Sequence, residues 1–382
     1  MNRQLAQLIQ DKDLHALILT DGYNIHHLSG YRGHTGMLVA LEGRQYILTD
    51  SRYTEQVQIE APEFACIDIG HDGYSKTVAK LLHEILMLNG KDCLRENSVP
   101  DGKDCIRIGF ENKEISYMQY RAFVDTFAKE LPEVQVEFVP LEDAVNAYRE
   151  VKTEDEIARL AQAERIGDEA FTEIVKFIRE NWKDGLTEQR VALQLEYEMR
   201  LRGAEGTSFD TIAASGANSS LPHAMPQPKV LAEGDFLTMD FGCMYQGYCS
   251  DMTRTIHIGS QVDAEQQKVY DTVLRAQLAA LAAIRPGMVC SEVDKVARDM
   301  IAEAGYGDYF GHGLGHSVGL FIHEEPRFSM KCDAVLKPGV VITVEPGIYL
   351  PGRFGVRIED MIVVTEDGYR NLASSPKELI CV

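Results

Sequence analysis

The sequence has no apolar run near the roughly 20 residues that a membrane-spanning helix needs. Its longest apolar stretches, such as 16–20 and 340–344, have the length of strands. Positive charge is also scarce, because the sequence has 38 Lys and Arg residues but 59 Asp and Glu residues, which gives a net charge of −21. Affinity for nucleic acids comes mainly from neutralising phosphates with Lys and Arg. We therefore expect neither a nucleic acid nor a membrane as a partner.

A cysteine motif is absent as well, since none of the 8 cysteines forms a Cys-x-x-Cys pair. This excludes zinc-ribbon and thioredoxin-like sites. The cysteines are typical of small buried side chains in a reducing compartment, and the first eleven residues lack the apolar region of a secretory signal. Cys93 and Cys105 flank a polar stretch, but we do not expect them to bond. These features favour a cytoplasmic protein, and the acidic balance would also suit one that concentrates cations.

The length of 382 residues predicts two domains, or three, because single cores stop growing at roughly 250–300 residues. Residues 1–148 alternate strand and helix patterns, which predicts a compact α/β domain. Residues 149–382 instead separate helices from hairpins, which predicts an α+β domain with antiparallel pairing. The predicted helices there cover about 154–180, 187–203, 263–284 and 291–304, and the β regions cover 235–259 and 339–365.

The first β region carries two aspartates that a hairpin would bring together. With a two-residue turn at Tyr245-Gln246, Asp240 lies directly opposite Asp251. Side chains opposed in this way have Cβ atoms about 4.5–5.5 Å apart, and strands normally exclude Asp. We therefore expect a cation between the two carboxylates. The same register puts Cys243 and Cys249 on opposite faces, so they should not form a disulfide.

The second β region repeats this arrangement. Folding about Gly352 puts Glu345 opposite Glu359, provided that Pro346 lies where no ladder donor is needed. Two carboxylate pairs on two apolar hairpins are unlike the scattered surface acids that single strand carboxylates usually represent. The four charges match those of two divalent ions.

A glycine-rich segment between the hairpins carries three histidines, His312, His316 and His323. Its glycines exclude the His-Glu-x-x-His helix of zinc proteases and let the backbone pass close to a ligand. A single histidine would more often be a packing residue, but this cluster favours a functional site. An oxygen-rich shell with one imidazole suits Mn²⁺, Co²⁺ or Zn²⁺, and two such ions about 3.5–4 Å apart serve hydrolysis.

The set Asp240, Asp251, His316, Glu345 and Glu359 resembles the five-ligand signature of the pita-bread metallopeptidases. These include methionine aminopeptidases, prolidases and aminopeptidase P, with creatinase as a metal-free relative. The segments Asn24-Ile-His-His-Leu-Ser-Gly30-Tyr and Leu48-Thr-Asp50-Ser-Arg52-Tyr resemble the creatinase/prolidase N-terminal domain. Methionine aminopeptidases lack that domain, so the resemblance narrows to the proline-peptidase branch.

The resemblance implies a role for each matching residue. His316 would bind metal, and Glu345 would be both a ligand and the proton shuttle. His323 would steady the tetrahedral intermediate, and His223 would bind substrate. His312 and Arg357 resemble active-site residues of the proline-specific members. Asp360 is expected beside the ligands rather than among them, and Ser317 replaces the family's usual glycine.

The expected function is hydrolysis of the peptide bond before proline in Xaa-Pro dipeptides, with two divalent ions as cofactors. One alternative is an aminopeptidase P that acts on longer Xaa-Pro peptides. Another is a non-catalytic pita-bread binding protein, although such proteins usually lose ligands. The resemblance also implies a homodimer. The native metal, the substrate length and the oligomeric state stay open at this point.

Overall fold

The computed structural model describes residues 1–41, 43–89 and 104–382. The described chain divides into two compact units, Met1–Arg149 and Glu150–Val382. Glu42 and Cys93 lie outside the described residues. Among the helices described, none has the length and apolarity to cross a bilayer.

The first unit is a mixed sheet with helices, and the prediction of an α/β domain is confirmed. Its helices are α1 Arg3–Asp11, α2 Gly22–Ser29, α3 Thr54–Glu60, α4 Gly73–Asn89 and α5 Tyr117–Glu130. Its strands are β1 Ala16–Leu19, β2 Met37–Leu41, β3 Arg44–Thr49, β4 Ala65–Asp68, β5 Asp104–Phe110 and β6 Val134–Pro140. Within the described residues the strand order is β4-β3-β2-β1-β5-β6. The fully buried β1 pairs antiparallel with β2 and parallel with β5, which explains why its residues are uniformly apolar.

The second unit contains long helices and several small sheets. The helices are α6 Glu154–Asn181, α7 Glu188–Leu201, α8 Ala264–Ala283 and α9 Cys290–Glu303. The first strands are β7 Gly206–Thr207, β8 Ile212–Ser215, β9 Phe236–Phe241, β10 Cys243–Tyr245, β11 Tyr248–Cys249 and β12 Met252–His257. The later strands are β13 Gly315–Ser317, β14 Glu324–Phe328, β15 Val341–Val344, β16 Gly347–Leu350, β17 Phe354–Arg357, β18 Asp360–Val364 and β19 Tyr369–Asn371.

These strands pair antiparallel, so the predicted α+β class is confirmed. The sheets follow the orders β11-β10-β7, β12-β9-β8, β14-β13-β15-β18-β19 and β16-β17. Helix α6 begins after Thr153, whose side chain accepts from the Glu156 backbone while Glu156 reaches back to the cap. This capping box satisfies backbone donors that a helix start leaves open.

The register of the first hairpin differs from the prediction by two residues. Asp240 lies opposite Thr253 rather than Asp251, because the turn is Gln246-Gly247 and not Tyr245-Gln246. Both turn residues have positive φ, 50° and 83°, as a two-residue turn matched to the strand twist requires. A shift of two residues keeps each side chain on its face of the hairpin. Asp251 therefore still shares a face with Asp240.

The predicted register of the second hairpin is confirmed. Val344 pairs with Asp360 in one ladder and Gly347 pairs with Arg357 in the next. Glu345 and Glu359 lie across from each other where the two ladders separate. Pro346 lies in the same interruption, where no ladder donor is required.

The predicted separation of Cys243 and Cys249 is also confirmed, because both thiols are free. The Cys243 thiol contacts the Ala163 carbonyl and the Cys249 thiol contacts the Leu320 carbonyl.

Candidate metal centre and active site

A cavity of about 660 Å³ in the second unit collects the predicted site residues. All nine line it: His223, Asp240, Asp251, His312, His316, His323, Glu345, Arg357 and Glu359. They come from both hairpins, from the histidine-rich segment and from the loop after β8. Residues far apart in the sequence thus face one space.

Three of the predicted ligands form a close group. Asp251, His316 and Glu359 each offer an atom that lies within 4.8 Å of the other two. His316 Nε2 lies 3.4 Å from Asp251 Oδ2 and 3.5 Å from Glu345 Oε1. One imidazole nitrogen therefore faces several carboxylate oxygens at distances that leave space for an ion.

The orientation of His316 is fixed by the strands around it. Its backbone N–H donates to Thr343 Oγ1 at 3.1 Å, and that hydroxyl donates to Glu345 Oε1 at 3.2 Å. Its Nδ1 lies 3.2 Å from the Ser317 carbonyl oxygen, so Nδ1 carries the proton and Nε2 presents a lone pair. Burial, with His323 nearby, lowers the pKa of His316 to about 3. A neutral imidazole oriented by a carbonyl is the form in which histidine binds metals.

The carboxylates crowd one another in a largely buried environment. Burial raises the pKa of Asp251 well above its usual range, and Glu359, Asp240 and Glu345 add to the effect. Burial and Glu345 likewise raise the pKa of Glu359, and burial raises the pKa of Glu345 to about 8. An adjacent cation would reverse these shifts because it favours the charged carboxylates.

The residues present fit a divalent metal. Asp240 Oδ1 is buried and has no hydrogen-bond partner among the described residues, although buried acceptors are normally satisfied. Carboxylate oxygens and a neutral imidazole are a donor set for Mn²⁺, Co²⁺ or Zn²⁺. No cysteine lines the described cavity, which accords with a hard or borderline ion.

An arginine–tyrosine–histidine network adjoins Asp240. Arg357 Nη2 donates to Asp240 Oδ2 at 2.6 Å, and its Nη1 donates to the Tyr349 hydroxyl at 2.7 Å. That hydroxyl donates to His312 Nε2 at 2.9 Å, since His312 Nδ1 donates to the Gly313 carbonyl. Burial and Arg357 lower the pKa of His312 to about 4. Arg357, predicted as an active-site residue, thus contacts Asp240 directly, and the predicted His312 is connected to Arg357 through Tyr349.

His323 lies next to His316, with ring centroids 4.6 Å apart and planes inclined by 69°. Burial and the charge of Arg327 lower the pKa of His323, which favours a neutral ring with one N–H donor. His223 lines the cavity from the segment Pro222–Met225.

Three further residues of the site were not predicted from the sequence: Tyr349, Thr253 and Arg327. Thr253 Oγ1 donates to Glu359 Oε2 at 2.8 Å and accepts from Arg357 Nε at 3.0 Å. Alternation along the hairpins could have identified Tyr349 and Thr253, because they share a face with Glu345 and Asp240 respectively. No pattern in the sequence indicated Arg327 as a residue of the site. Asp360, in contrast, is not among the cavity-lining residues, and its carboxylate accepts from Arg254, Lys377, Gln277 and Asn371.

Comparison with known proteins identifies both units. Residues 158–366 match metallopeptidase family M24, and residues 3–151 match the Creatinase/Prolidase N-terminal domain. An Xaa-Pro dipeptidase from Pyrococcus furiosus is 46% identical over 244 residues, which cover 64% of this chain and 69% of that protein.

Solved structures show the same relationship over the whole chain. The Xaa-Pro dipeptidase from Bacillus anthracis is 38% identical, with a TM-score of 0.87 and coverage of 99% of this chain and 98% of that one. The X-Pro aminopeptidase from Thermotoga maritima is 34% identical, with a TM-score of 0.84 and coverage of 98% and 100%. The chain therefore belongs to metallopeptidase family M24, a family that uses divalent metal ions, and combines its pita-bread domain with a creatinase/prolidase-type N-terminal domain.

Proposed function

We propose that the protein is an Xaa-Pro dipeptidase, which hydrolyses the peptide bond before proline. The observation that carries the proposal is the convergence of four buried or half-buried carboxylates and a neutral histidine on one cavity that three further histidines also line. The names of the relatives from Pyrococcus furiosus and Bacillus anthracis support this substrate.

We propose two divalent ions per chain, held by Asp240, Asp251, His316, Glu345 and Glu359. Mn²⁺, Co²⁺ and Zn²⁺ all suit these donors. When bound, such ions polarise the scissile carbonyl and increase the acidity of water.

In this proposal the remaining chemistry belongs to side chains of the cavity. Glu345 takes the proton of the attacking water and passes it to the prolyl nitrogen as the bond breaks. His323 donates its ring N–H to the carbonyl oxygen, where negative charge develops in the transition state. His223, His312 and Arg357 hold the substrate, and Tyr349 keeps His312 and Arg357 in place.

The position of Arg327 favours a dipeptide over a longer peptide as the substrate. Arg327 lines the cavity, and after burial its charge is among the causes that lower the pKa values of His316 and His323. In a dipeptide the free carboxylate follows directly on the prolyl residue, and guanidinium groups recognise carboxylates well. A longer peptide has an amide at that position. It therefore offers no carboxylate to the N–H groups of Arg327 other than the Nε, which donates to Glu325 Oε1 at 3.0 Å.

A substrate series tests both parts of the proposal. With added Mn²⁺ or Co²⁺, the protein should cleave an Xaa-Pro dipeptide faster than the matching Xaa-Pro amide and the Xaa-Pro-Xaa tripeptide. Arg327→Met should raise KM for the dipeptide about tenfold or more, while the amide is cleaved as before. Faster cleavage of the tripeptide would favour the aminopeptidase, and metal binding without any cleavage would favour a binding protein.

We further propose a cytoplasmic homodimer. The free cysteines accord with a reducing compartment. Sedimentation equilibrium of the full chain measures the assembly state, and a monomer at micromolar concentration would contradict the dimer.

A further inference from the structure

A buried ion pair includes Glu324, the residue that follows His323. Lys152 Nζ donates to Glu324 Oε2 at 3.1 Å, and the two side chains are only 2% and 3% exposed. We propose that Lys152 is a positioning residue that, through Glu324, fixes the orientation of His323 towards the substrate carbonyl. This inference rests on the proposed role of His323.

Lys152 is well placed to serve as an anchor. Its backbone N–H donates to the Gly339 carbonyl at 2.9 Å, and the preceding Val151 bridges to Val340. Gly339 has a φ of +88°, and a Cβ there would come within 3.0 Å of the Lys152 carbonyl oxygen. The start of the second unit is thus attached to the chain that enters β15, the strand next to the His316 strand.

Glu324 connects Lys152 to the loop that precedes Glu324 in the chain. Its Oε1 accepts from the Phe321 backbone N–H at 3.2 Å. A Cβ on Gly319 would come within 2.5 Å of its Oε2, so the carboxylate occupies the interior of the turn. The Gly319 carbonyl in turn accepts from the Cys249 backbone at 2.9 Å. The loop between His316 and His323 is therefore closed around this carboxylate.

The orientation of His323 follows from that of Glu324. Consecutive side chains in extended backbone point to opposite sides, and here Glu324 is buried while His323 is exposed. Glu324 also pairs across the strands with Ser317, the neighbour of His316. Fixing Glu324 on the inner side holds His323 on the cavity side, with its ring 4.6 Å from that of His316.

Stability alone does not account for such a pair. Burying two charges costs free energy that their attraction repays only with good geometry, and apolar replacements are often as stable. What the ion pair adds is a fixed distance and direction between two segments that are 172 residues apart. Small displacements of a catalytic group lower the rate steeply, by up to about 10²-fold for 1 Å.

The test compares variants of the pair in the full-length, metal-loaded protein. Lys152→Met keeps the volume and removes the charge, and Glu324→Gln keeps an acceptor for Phe321 while it removes the other charge. Each should lower kcat about 10–100-fold with metal content and KM retained. The double variant Lys152→Met/Glu324→Gln should be no slower than either single variant, since coupled residues act non-additively. Lys152→Arg, which keeps the charge, should be faster than Lys152→Met.

Lys229→Met is the matched control. Lys229 also pairs with an acid, Asp235, in the second unit but does not line the described cavity. The Lys229→Met variant should have a lower thermal stability and an unchanged kcat. If Lys152→Met likewise lowers only the thermal stability and leaves kcat unchanged, the inference is overturned.

A spectroscopic readout separates this inference from the proposed function. With histidine labelled at Cε1, the His323 signal should move in Lys152→Met and remain in place in Lys229→Met. A wild-type protein that does not cleave Xaa-Pro dipeptides would contradict the proposed function, whereas an unmoved His323 signal would contradict the positioning role. If Lys152→Met fails to fold, the neutral double variant provides the same comparison.

Discussion

At the residue scale, the two neighbouring histidines separate metal binding from catalysis. His316 presents an unprotonated Nε2 to the carboxylates, while His323 lies beside it with a ring N–H available for the substrate. Their rings are in contact, yet the donor geometry gives them different tasks.

We predict that His323→Ala keeps its metal and loses kcat more than KM, because its donor matters most when the carbonyl oxygen becomes negative. Loss of one such donor typically costs about 10²–10³ in rate. His316→Ala should instead lose metal and nearly all activity. Metal analysis, melting temperature and both kinetic constants of the two variants decide the question. A fully active, metal-loaded His323→Ala protein would show that the oxyanion role is wrong.

The sequence predicts which side chains lie close together where their place follows from a short-range pattern, while the roles of these side chains stay predictions. All nine predicted residues line the cavity, because the carboxylates alternate along hairpins and three of the four histidines lie in one glycine-rich segment. Tyr349 was missed because an aromatic residue in a strand usually indicates packing. The Lys152–Glu324 pair could not be predicted, since its partners meet only through tertiary structure.

At the scale of elements, hairpin turns determine which carboxylates oppose each other. The second hairpin was predictable because a single turn glycine, Gly352, fixes its register. The first was misplaced by two residues because Gln246 adopts a positive φ, which is uncommon for a residue with a side chain. The error did not change which side chains face the site, because side chains along a strand alternate between its two faces with a period of two residues.

The strand that carries His316 depends on a close backbone contact. A Cβ at Gly315 would lie 2.0 Å from the Thr343 carbonyl oxygen. We predict that Gly315→Ala separates β13 from β15, lowers the melting temperature and weakens metal affinity, since His316 is displaced from the acids. Calorimetric metal titration and thermal melting measure both effects.

Gly311→Ala is the control for this substitution, because a Cβ there meets nothing within 4 Å. It should change neither quantity. Equal metal affinity in the two variants would show that the close contact does not position His316.

At the scale of the whole molecule, the site makes stability depend on pH and metal together. The pKa of Glu345 is about 8 in the folded protein against an ordinary value of 4.5. A raised folded-state pKa stabilises the fold fully below the ordinary value, and that contribution is lost as the pH rises through the folded-state value. Bound divalent ions favour the charged form and oppose this loss.

We therefore predict that the chelated, metal-free protein loses stability between about pH 4.5 and pH 8. Glu345→Gln, which cannot ionise, should lose less over the same range, and the difference between the two proteins isolates this group from other titrations. Urea unfolding at several pH values measures it. Added Mn²⁺ should restore the wild type at the upper end of the range. Identical pH profiles for the two metal-free proteins would contradict the prediction.

The distribution of the ligand set along the chain has a consequence for biosynthesis. The first acids, Asp240 and Asp251, are synthesised well before Glu345 and Glu359, and His316 comes between them. A ribosome-bound chain therefore exposes half of a charged centre before its counterpart exists. We expect ion uptake to follow completion of the second hairpin. The ions that the finished molecule acquires would then reflect the cellular pool it meets after release, rather than any selection made during folding.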